Sequence, residues 1–213
     1  MTPIRAIVSD FGGVLTSPLI GSFAKIQDEW GVPLESLGQA FVEITEREGA
    51  HPLFELECGR ITEQEFLGAL GAQLSADLGR DVPMHEFGER FFAQLSTNTP
   101  LVELLHELRD TGYRVALLTN NVREWEPRWR SMLPTVDELF EVIVDSAFVG
   151  MRKPDPRIYQ LTIERIGGVT AAECLFIDDM EVNIVAAREV GMAAVHFVDT
   201  PQAIADIRAA LAG

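Results

Sequence analysis

The sequence predicts an α/β protein with a parallel sheet and a helical segment inserted after the first strand. From residue 100 onward, short apolar runs alternate with helical stretches. This alternation is typical of βαβ units, which build parallel sheets. Residues 17–98 instead show no strong strand pattern and contain several amphipathic stretches. We therefore predict two parts, a sheet-bearing domain at 1–16 and 97–213 and a helical domain at 17–96.

The apolar runs place the strands of the sheet-bearing part. The first run covers residues 4–9 and ends at Asp10. Four later runs predict strands at 115–118, 142–144, 175–177 and 194–198. Helices are expected between and after them, near 99–111, 124–139, 156–166, 182–190 and from Thr200. Thr99 is a candidate N-cap for the first of these helices, with Pro100 at its first helical position.

Four amphipathic helices are predicted in the inserted part, at 20–30, 34–48, 63–78 and 84–95. The third has a start signal, because Thr62 stands three residues before Glu65 and can form a capping box. The stretch 46–59 is predicted to connect two helices. It contains Glu48, His51 and Glu55, and is a candidate loop for substrate selection.

Composition excludes several classes of function. The 213 residues are 47% hydrophobic, enough for a sizeable core, and carry a formal net charge of -16. This charge disfavours binding to nucleic acid or to an anionic membrane. The two cysteines form no Cys-x-x-Cys motif, so neither a zinc site nor a disulfide framework is expected. No apolar segment approaches the ~20 residues of a membrane span, and we expect a soluble, cytoplasmic monomer or homodimer.

Polar residues follow the predicted strands in a suggestive order. Asp10 follows the first strand, Thr119 ends the second, and Asp178 and Asp179 follow a later one, while Lys153 lies in a nearby loop. Ligands of open α/β sheets bind at the carboxyl ends of the strands. These groups could therefore meet in one crevice, where they could attack phosphorus or carbon, hold an anion and bind a hard cation.

Single motifs leave structural alternatives open. Gly12 and Gly13 could bring backbone amides close to an anion, or could serve only the turn after Asp10. Two adjacent carboxylates suit Mg²⁺, which prefers oxygen ligands, although one of them could instead cap the next helix. Thr119 could be a turn hydroxyl, and Lys153 a surface lysine.

Taken together, the motifs resemble those of the haloacid dehalogenase-like hydrolase superfamily over essentially the whole chain. They read Asp-Phe-Gly-Gly-Val-Leu at 10–15, Gly-Met-Arg-Lys-Pro-Asp at 150–155 and Phe-Ile-Asp-Asp-Met-Glu-Val-Asn at 176–183. The closest likeness is to the α-glucose-1-phosphate phosphatase type and the phosphatase domain of soluble epoxide hydrolases. The resemblance implies a Rossmann-like three-layer core with a parallel sheet, and a helical C1-type cap inserted after the first strand.

The resemblance also implies roles for the residues. Asp10 would be the nucleophile that forms an aspartyl-phosphate, Thr119 would bind a phosphoryl oxygen, and Lys153 would steady both nucleophile and phosphate. The implied substrate-binding set is Gly12, Gly13, Thr119, Asn120 and Lys153. The substrate would be a small phosphorylated metabolite.

The implied cofactor is Mg²⁺. Its ligands would be Asp10, the backbone carbonyl of Gly12, Asp178 and Asp179, directly or through water. Asn183 would orient the carboxylates of this site.

One position departs from the family pattern. Most of the family's phosphatases carry a second Asp two residues after the nucleophile as general acid and base, but this chain has Gly12 there. Loss of a general acid typically costs ~10²–10⁴-fold in rate, and a good leaving group lessens this penalty. Sugar 1-phosphates are therefore a first candidate. The alternatives are a 2-haloacid dehalogenase-type hydrolase, which needs no proton for halide release, and a non-catalytic phosphometabolite-binding protein.

Overall fold

The computed structural model describes residues 2–212 and contains a five-stranded, all-parallel sheet. The strands are β1 (Ala6–Ser9), β2 (Arg114–Thr119), β3 (Val142–Asp145), β4 (Cys174–Asp178) and β5 (Ala193–His196). They lie in the order β3-β2-β1-β4-β5, so the first strand of the chain is the central strand of the sheet. The predicted α/β fold class is confirmed.

Twelve α-helices accompany the sheet within residues 2–212. They are α1 (Leu19–Trp30), α2 (Leu34–Glu48), α3 (Pro52–Glu57), α4 (Glu63–Leu78), α5 (Phe87–Ala93), α6 (Thr99–Asp110), α7 (Glu126–Met132), α8 (Val136–Leu139), α9 (Ser146–Val149), α10 (Pro156–Ile166), α11 (Glu181–Glu189) and α12 (Thr200–Ala212). No helix of the described residues is long and apolar enough to cross a bilayer.

The sheet is the middle of three layers. Ile7 belongs to a hydrophobic cluster with residues of α6, α7 and α12, whereas Ala6 and Val8 pack into a second cluster with residues of α10 and α11. Both faces of β1 are therefore buried, which explains its nearly continuous apolar sequence.

Helices α1 to α5 form the inserted part and share a third hydrophobic cluster. Ile44, Phe66 and Phe91 lie in this cluster, and Val122 and Trp125 join it from the segment after β2. The chain enters and leaves the insertion through two neighbouring segments, in which Thr16 and Thr97 form an antiparallel bridge. The two segments that connect the insertion to the sheet-bearing part are therefore paired with each other. The insertion also packs against the sheet-bearing part through its hydrophobic cluster.

Local details both confirm and correct the sequence expectations. The capping box of α4 is present, with Thr62 Oγ1 accepting from the Glu65 N–H and Glu65 accepting from the Thr62 N–H. Asn98, rather than Thr99, is the N-cap of α6, and its side chain donates to the carbonyl of Val14 (2.7 Å). Because Asn98 is tied to Val14, the helix begins at Thr99.

The connection predicted at 46–59 is also different from the expectation. It contains α3, a short helix with Pro52 in its first turn. Pro52 reads as a break in the sequence, but proline is favoured at the first turn of a helix because its missing N–H would have no helical partner there.

Candidate active site

Three polar side chains are buried at the carboxyl edge of neighbouring strands. Asp10 directly follows β1, Thr119 is the last residue of β2, and Asp178 is the last residue of β4. The Asp10 N–H donates to the carbonyl of Ile177 (2.9 Å), which extends the β1–β4 pairing up to the carboxylate. The relative exposure is 7% for Asp10, 2% for Thr119 and 0% for Asp178. The sheet thus brings together the groups that the sequence placed after its apolar runs.

Lys153 links two of these carboxylates. Its Nζ lies 2.7 Å from Oδ1 of Asp10 and 2.6 Å from Oδ2 of Asp178, and the residue is 1% exposed. A buried ammonium is costly unless it is paired and hydrogen-bonded. Here two carboxylates satisfy it, so Lys153 is a component of the site rather than a surface lysine.

Asn120 holds the backbone of Lys153 in place. Its Nδ2 donates to the Lys153 carbonyl (3.0 Å), and its Oδ1 accepts from the Lys153 N–H (2.8 Å). Both polar atoms of this amide are therefore engaged with the lysine loop. The Asn120 side chain therefore positions Lys153, and the substrate contact expected for Asn120 stays a prediction.

Helix α11 and the residue before it orient the Asp178 carboxylate. Its Oδ1 accepts from the Met180 N–H (2.8 Å) and from Asn183 Nδ2 (3.0 Å), and Asn183 Nδ2 also lies 3.2 Å from Oδ2. Asn183 is on α11, the helix that starts just after the Asp pair. The family resemblance implied that Asn183 orients the carboxylates of the site, and this contact with Asp178 agrees with that expectation.

Asp179 completes an acidic group with Asp10 and Asp178. One carboxylate oxygen from each residue lies within 4.8 Å of those of the other two. Among residues 2–212, this is the one set of three potential metal-ligating side chains that meets such a distance. Three carboxylates and one ammonium leave excess negative charge, and oxygen donors at this spacing fit a hard divalent cation.

Burial and neighbouring charges shift the proton equilibria of the site. Burial raises the pKa of Asp10 to about 7; the Lys153 ammonium opposes this rise, and Asp178 and Asp179 add to it. The pKa of Asp179 is also raised, by burial and by Asp178. For Lys153, burial favours loss of the proton, but Asp10 and Asp178 outweigh it and raise the pKa. The lysine therefore stays charged.

The Gly12-Gly13 turn lies tightly against the acidic group. Gly13 has φ +79°, which favours glycine, and a Cβ there would lie 2.3 Å from Oδ2 of Asp179 and would displace that carboxylate. The Gly13 N–H donates to Thr16 Oγ1 (2.9 Å). The anion contact expected for Gly12 and Gly13 stays a prediction. A Cβ at Gly12 would lie 2.8 Å from Cδ1 of Leu19.

The insertion reaches the lysine loop through Arg152. The Arg152 Nε donates to Oε2 of Glu57, and the Arg152 guanidinium lies 4.1 Å from the ring centroid of Phe54. Burial raises the pKa of Glu57, and Arg152 counteracts that rise. His51, the N-cap residue of α3, stacks on Phe54 with the ring centroids 4.3 Å apart. Sequence reasoning missed Glu57, because no spacing signal joins residues so far apart in the chain.

The two other residues singled out in that stretch lie differently. Glu55 is paired with Arg60 (2.7 Å) and Glu48 lies beside Arg47 (3.3 Å). Both pairs are formed within the insertion. Of these three carboxylates, Glu57 is the one paired with a residue of the sheet-bearing part.

Asp10, the buried ammonium of Lys153 and the carboxylates of Asp178 and Asp179 thus meet at one edge of the sheet. A model of the family described as haloacid dehalogenase-like hydrolase matches residues 4–191. The chain belongs to this family and is a hydrolase.

The chain is also similar over nearly its whole length to individual proteins. The chain is 30% identical over 213 residues to mouse acyl-CoA dehydrogenase family member 10, covering 97% of this chain but 19% of that protein. The chain thus spans only about a fifth of the length of that relative. It is 28% identical over 219 residues to the sesquiterpene phosphatase astK of Aspergillus oryzae, covering 97% of this chain and 96% of the relative.

Solved structures share the whole architecture. A haloacid dehalogenase-like (HAD-like) family hydrolase from Porphyromonas gingivalis has a TM-score of 0.73 at 25% identity, with 99% of this chain and 98% of that chain covered. A HAD family enzyme from Bacteroides thetaiotaomicron, solved with magnesium and inorganic phosphate, has a TM-score of 0.64 at 27% identity, with 91% and 93% covered.

Proposed function

We propose that this protein is a Mg²⁺-dependent phosphatase that hydrolyses a small phosphorylated metabolite through an aspartyl-phosphate on Asp10. The observation that carries the proposal is the placement of Lys153 between Asp10 and Asp178, with Asp179 completing the acidic group. The phosphatase named among the relatives and the magnesium and phosphate bound by a similar structure support it. A sugar phosphate is the first candidate substrate.

The donor set fits Mg²⁺. Asp10, Asp178 and Asp179 would hold the ion, together with the backbone carbonyl of Gly12. When bound, Mg²⁺ supplies positive charge that offsets the carboxylates and the phosphate. Asn183 keeps Asp178 oriented through its Nδ2, a type of supporting contact that tunes metal sites.

The protein's own residues account for the two chemical steps. An Asp10 oxygen attacks phosphorus, the ester P–O bond breaks, and the leaving oxygen keeps the electron pair. Lys153 holds Asp10 in position and offsets charge on the phosphoryl group, and the Thr119 hydroxyl donates to a phosphoryl oxygen. Water then attacks phosphorus, releases phosphate and restores the Asp10 carboxylate.

The helical insertion would act as a cap in this scheme. We propose that residues 17–96 form the cap domain and that 1–16 and 97–213 form the catalytic domain. Phe54 and His51 stand beside Arg152 next to the lysine loop, so they are placed to contact the part of a substrate that extends from the phosphate. Substitution of these two side chains should change the KM ranking among sugar phosphates, whereas an unchanged ranking would exclude them from substrate selection.

Two other functions would give different results in the experiment described below. A 2-haloacid dehalogenase would use the same nucleophile but would not need the three-carboxylate group, which is why we favour phosphoryl transfer. A binding protein would retain phosphate affinity without turnover, but an intact nucleophile–lysine pair argues for catalysis.

The test is hydrolysis of p-nitrophenyl phosphate and a sugar-phosphate panel, with Mg²⁺ or EDTA. The matched variants are Asp10→Asn and Asp28→Asn, the latter at an exposed aspartate of α1. We expect Mg²⁺-dependent phosphate release that is lost in Asp10→Asn and kept in Asp28→Asn. Halide release from 2-haloacids in EDTA would favour the dehalogenase instead, and phosphate binding without turnover would favour the binding protein.

A further inference from the structure

One polar side chain from β5 reaches the loop that carries the acidic group. His196 is the last residue of this edge strand and lies opposite Asp178 in the parallel pairing of β4 with β5. Its ring atom Nε2 lies 3.0 Å from the backbone carbonyl oxygen of Asp179. Because a carbonyl oxygen can only accept a hydrogen bond, the imidazole is the donor and the proton is on Nε2. The edge strand thus contributes a side chain next to the proposed metal ligands.

The carbonyl of Asp179 stands just outside helix α11. The first turn of the helix closes onto the carbonyl of its N-cap residue Met180, which accepts from the N–H groups of Asn183 (2.9 Å) and Ile184 (3.2 Å). The Asp179 carbonyl therefore precedes these helical hydrogen bonds. His196 is the residue that donates to it instead.

The side chains that fix the neighbouring carboxylate do not serve Asp179. The Lys153 ammonium and the Asn183 amide both donate to the side chain of Asp178. The Asp179 carboxylate lies against the Gly13 turn, where a Cβ would come within 2.3 Å of its Oδ2. The direction of this carboxylate therefore depends on how the backbone of Asp179 is held.

The end of β5 is itself anchored. The Phe197 N–H donates to the carbonyl of Asp178 (2.9 Å), one residue before the carbonyl that His196 binds. Gln202 of α12 donates through Nε2 to the carbonyl of His196 (3.1 Å) and accepts through Oε1 from the Val198 N–H (3.0 Å). His196 therefore stands on a backbone that is fixed on both sides, and can hold the peptide group of a metal ligand in place.

We propose that His196 is a positioning residue of the metal site, which holds the Asp179 carbonyl so that the Asp179 carboxylate stays with those of Asp10 and Asp178. Supporting contacts of this kind orient metal ligands, and their removal typically costs roughly 10–100-fold in metal affinity. His196 acts through the Asp179 backbone rather than on the reacting atoms. Its removal should therefore weaken Mg²⁺ binding and leave the chemical step intact. The proposal rests on the phosphatase function and the Mg²⁺ site proposed above.

The test measures Mg²⁺ affinity in His196→Leu, which removes the donor, and in His196→Gln, which keeps an N–H donor on a side chain of similar reach. Isothermal titration calorimetry gives the Kd for Mg²⁺ without substrate, and p-nitrophenyl phosphate hydrolysis gives the half-saturating Mg²⁺ concentration. Both values should rise roughly 10–100-fold in His196→Leu and stay close to the wild-type values in His196→Gln. Because Gln carries no charge, this recovery would identify the hydrogen bond, rather than a positive charge on the imidazole, as the cause. In both variants kcat at saturating Mg²⁺ should change little.

His106→Leu is the matched control. His106 is also half-buried and also engages its Nε2, which lies 3.2 Å from Thr135 Oγ1. It lies near the end of α6 that leads to the amino end of β2, the edge of the sheet opposite the acidic group. The substitution removes a comparable contact far from the proposed metal ligands, so the Kd for Mg²⁺ should remain that of the wild type.

Several results would overturn the proposal. Equal Mg²⁺ affinities of the wild type and His196→Leu would do so while leaving the phosphatase function intact. So would a loss in His196→Gln as large as that in His196→Leu, or a fall in kcat that saturating Mg²⁺ does not restore. If His196→Leu does not fold, His196→Phe, which keeps a ring without a donor, takes its place. Absence of both Mg²⁺ binding and Mg²⁺-dependent hydrolysis in the wild type would instead refute the proposed function itself, and this proposal with it.

Discussion

The Arg152–Glu57 ion pair should make a measurable contribution to stability, because it is mostly buried. The side chains are 21% and 17% exposed, and they join the lysine loop to helix α3 of the insertion. We consider the variant Glu57→Gln, which keeps the size and one acceptor oxygen of the side chain but removes its charge.

The burial sets the expected size of the effect. Removal of one partner from a fully buried pair costs about 3–5 kcal/mol, whereas an exposed pair contributes about 0–1 kcal/mol. Because this pair keeps about a fifth of its surface in water, Gln retains one hydrogen bond, and the burial that raises the pKa of Glu57 makes its charge costly, we expect Glu57→Gln to lower the free energy of unfolding by only ~1 kcal/mol. Arg152 also loses part of the geometry that holds it over Phe54.

The assay is urea unfolding of the wild type, Glu57→Gln, Arg152→Gln and the double variant. A double-mutant cycle over these four proteins isolates the pairwise free energy. The matched control is Glu55→Gln, which breaks the Glu55–Arg60 pair of the same segment. The side chains of that pair are 27% and 48% exposed, so the loss should stay below about 1 kcal/mol.

Two results would refute this reasoning. Equal losses for Glu57→Gln and Glu55→Gln would mean that burial does not distinguish the pairs. Strictly additive losses in the cycle would mean that Glu57 and Arg152 do not stabilise one another, and that other contacts hold the insertion to the sheet-bearing part.

Three further predictions concern single residues of the site and the sheet. Gly13→Ala should weaken Mg²⁺-dependent activity far more than Gly112→Ala, because both replace a glycine at positive φ but only the first places a methyl group against Asp179; equal half-saturating Mg²⁺ concentrations would contradict this. Lys153→Met should lower kcat roughly 10²–10³-fold through loss of a buried positive charge, and steady-state kinetics showing less than a tenfold loss would count against its role. Burial raises the pKa of Asp145 from 3.8 to about 7, so the stability that its protonated form confers is complete below the unfolded pKa and is lost as pH rises through about 7. Asp145→Asn should therefore raise the free energy of unfolding more at about pH 8 than at about pH 5, and an equal gain at both pH values would refute the assignment.

The sequence allowed the sheet and the core of the site to be predicted because both depend on short-range patterns. Continuous apolar runs specify strands buried on two faces. Parallel strands share one carboxyl edge, so Asp10, Thr119 and Asp178 had to come together once the strands paired. Lys153 could be placed only with the family resemblance, since its loop shows no periodicity.

The contacts between the insertion and the sheet-bearing part could not be predicted from the sequence. The Arg152–Glu57 pair and the Leu19–Gly12 approach join residues on different structural parts, and no local spacing encodes them. Helix α3 was missed because its six residues are too few to show a helical period, and because Pro52 resembles a break. These features depend on how the two parts pack, which local patterns do not specify.

The position of β1 in the sheet has a consequence for how the protein folds as it is synthesised. Ala6 pairs with Arg114 on one side and with Cys174 on the other. During synthesis β1 is made before both of its partner strands, so its edges stay unpaired until β2 and β4 have been made, while the helices that follow it can already pack against one another. Long-range pairings of this kind close slowly, and unpaired apolar strands are prone to aggregate. The nascent chain must thus carry its future central strand in an unprotected state, and Asp10, the proposed nucleophile, acquires its surroundings only when β4 has been made.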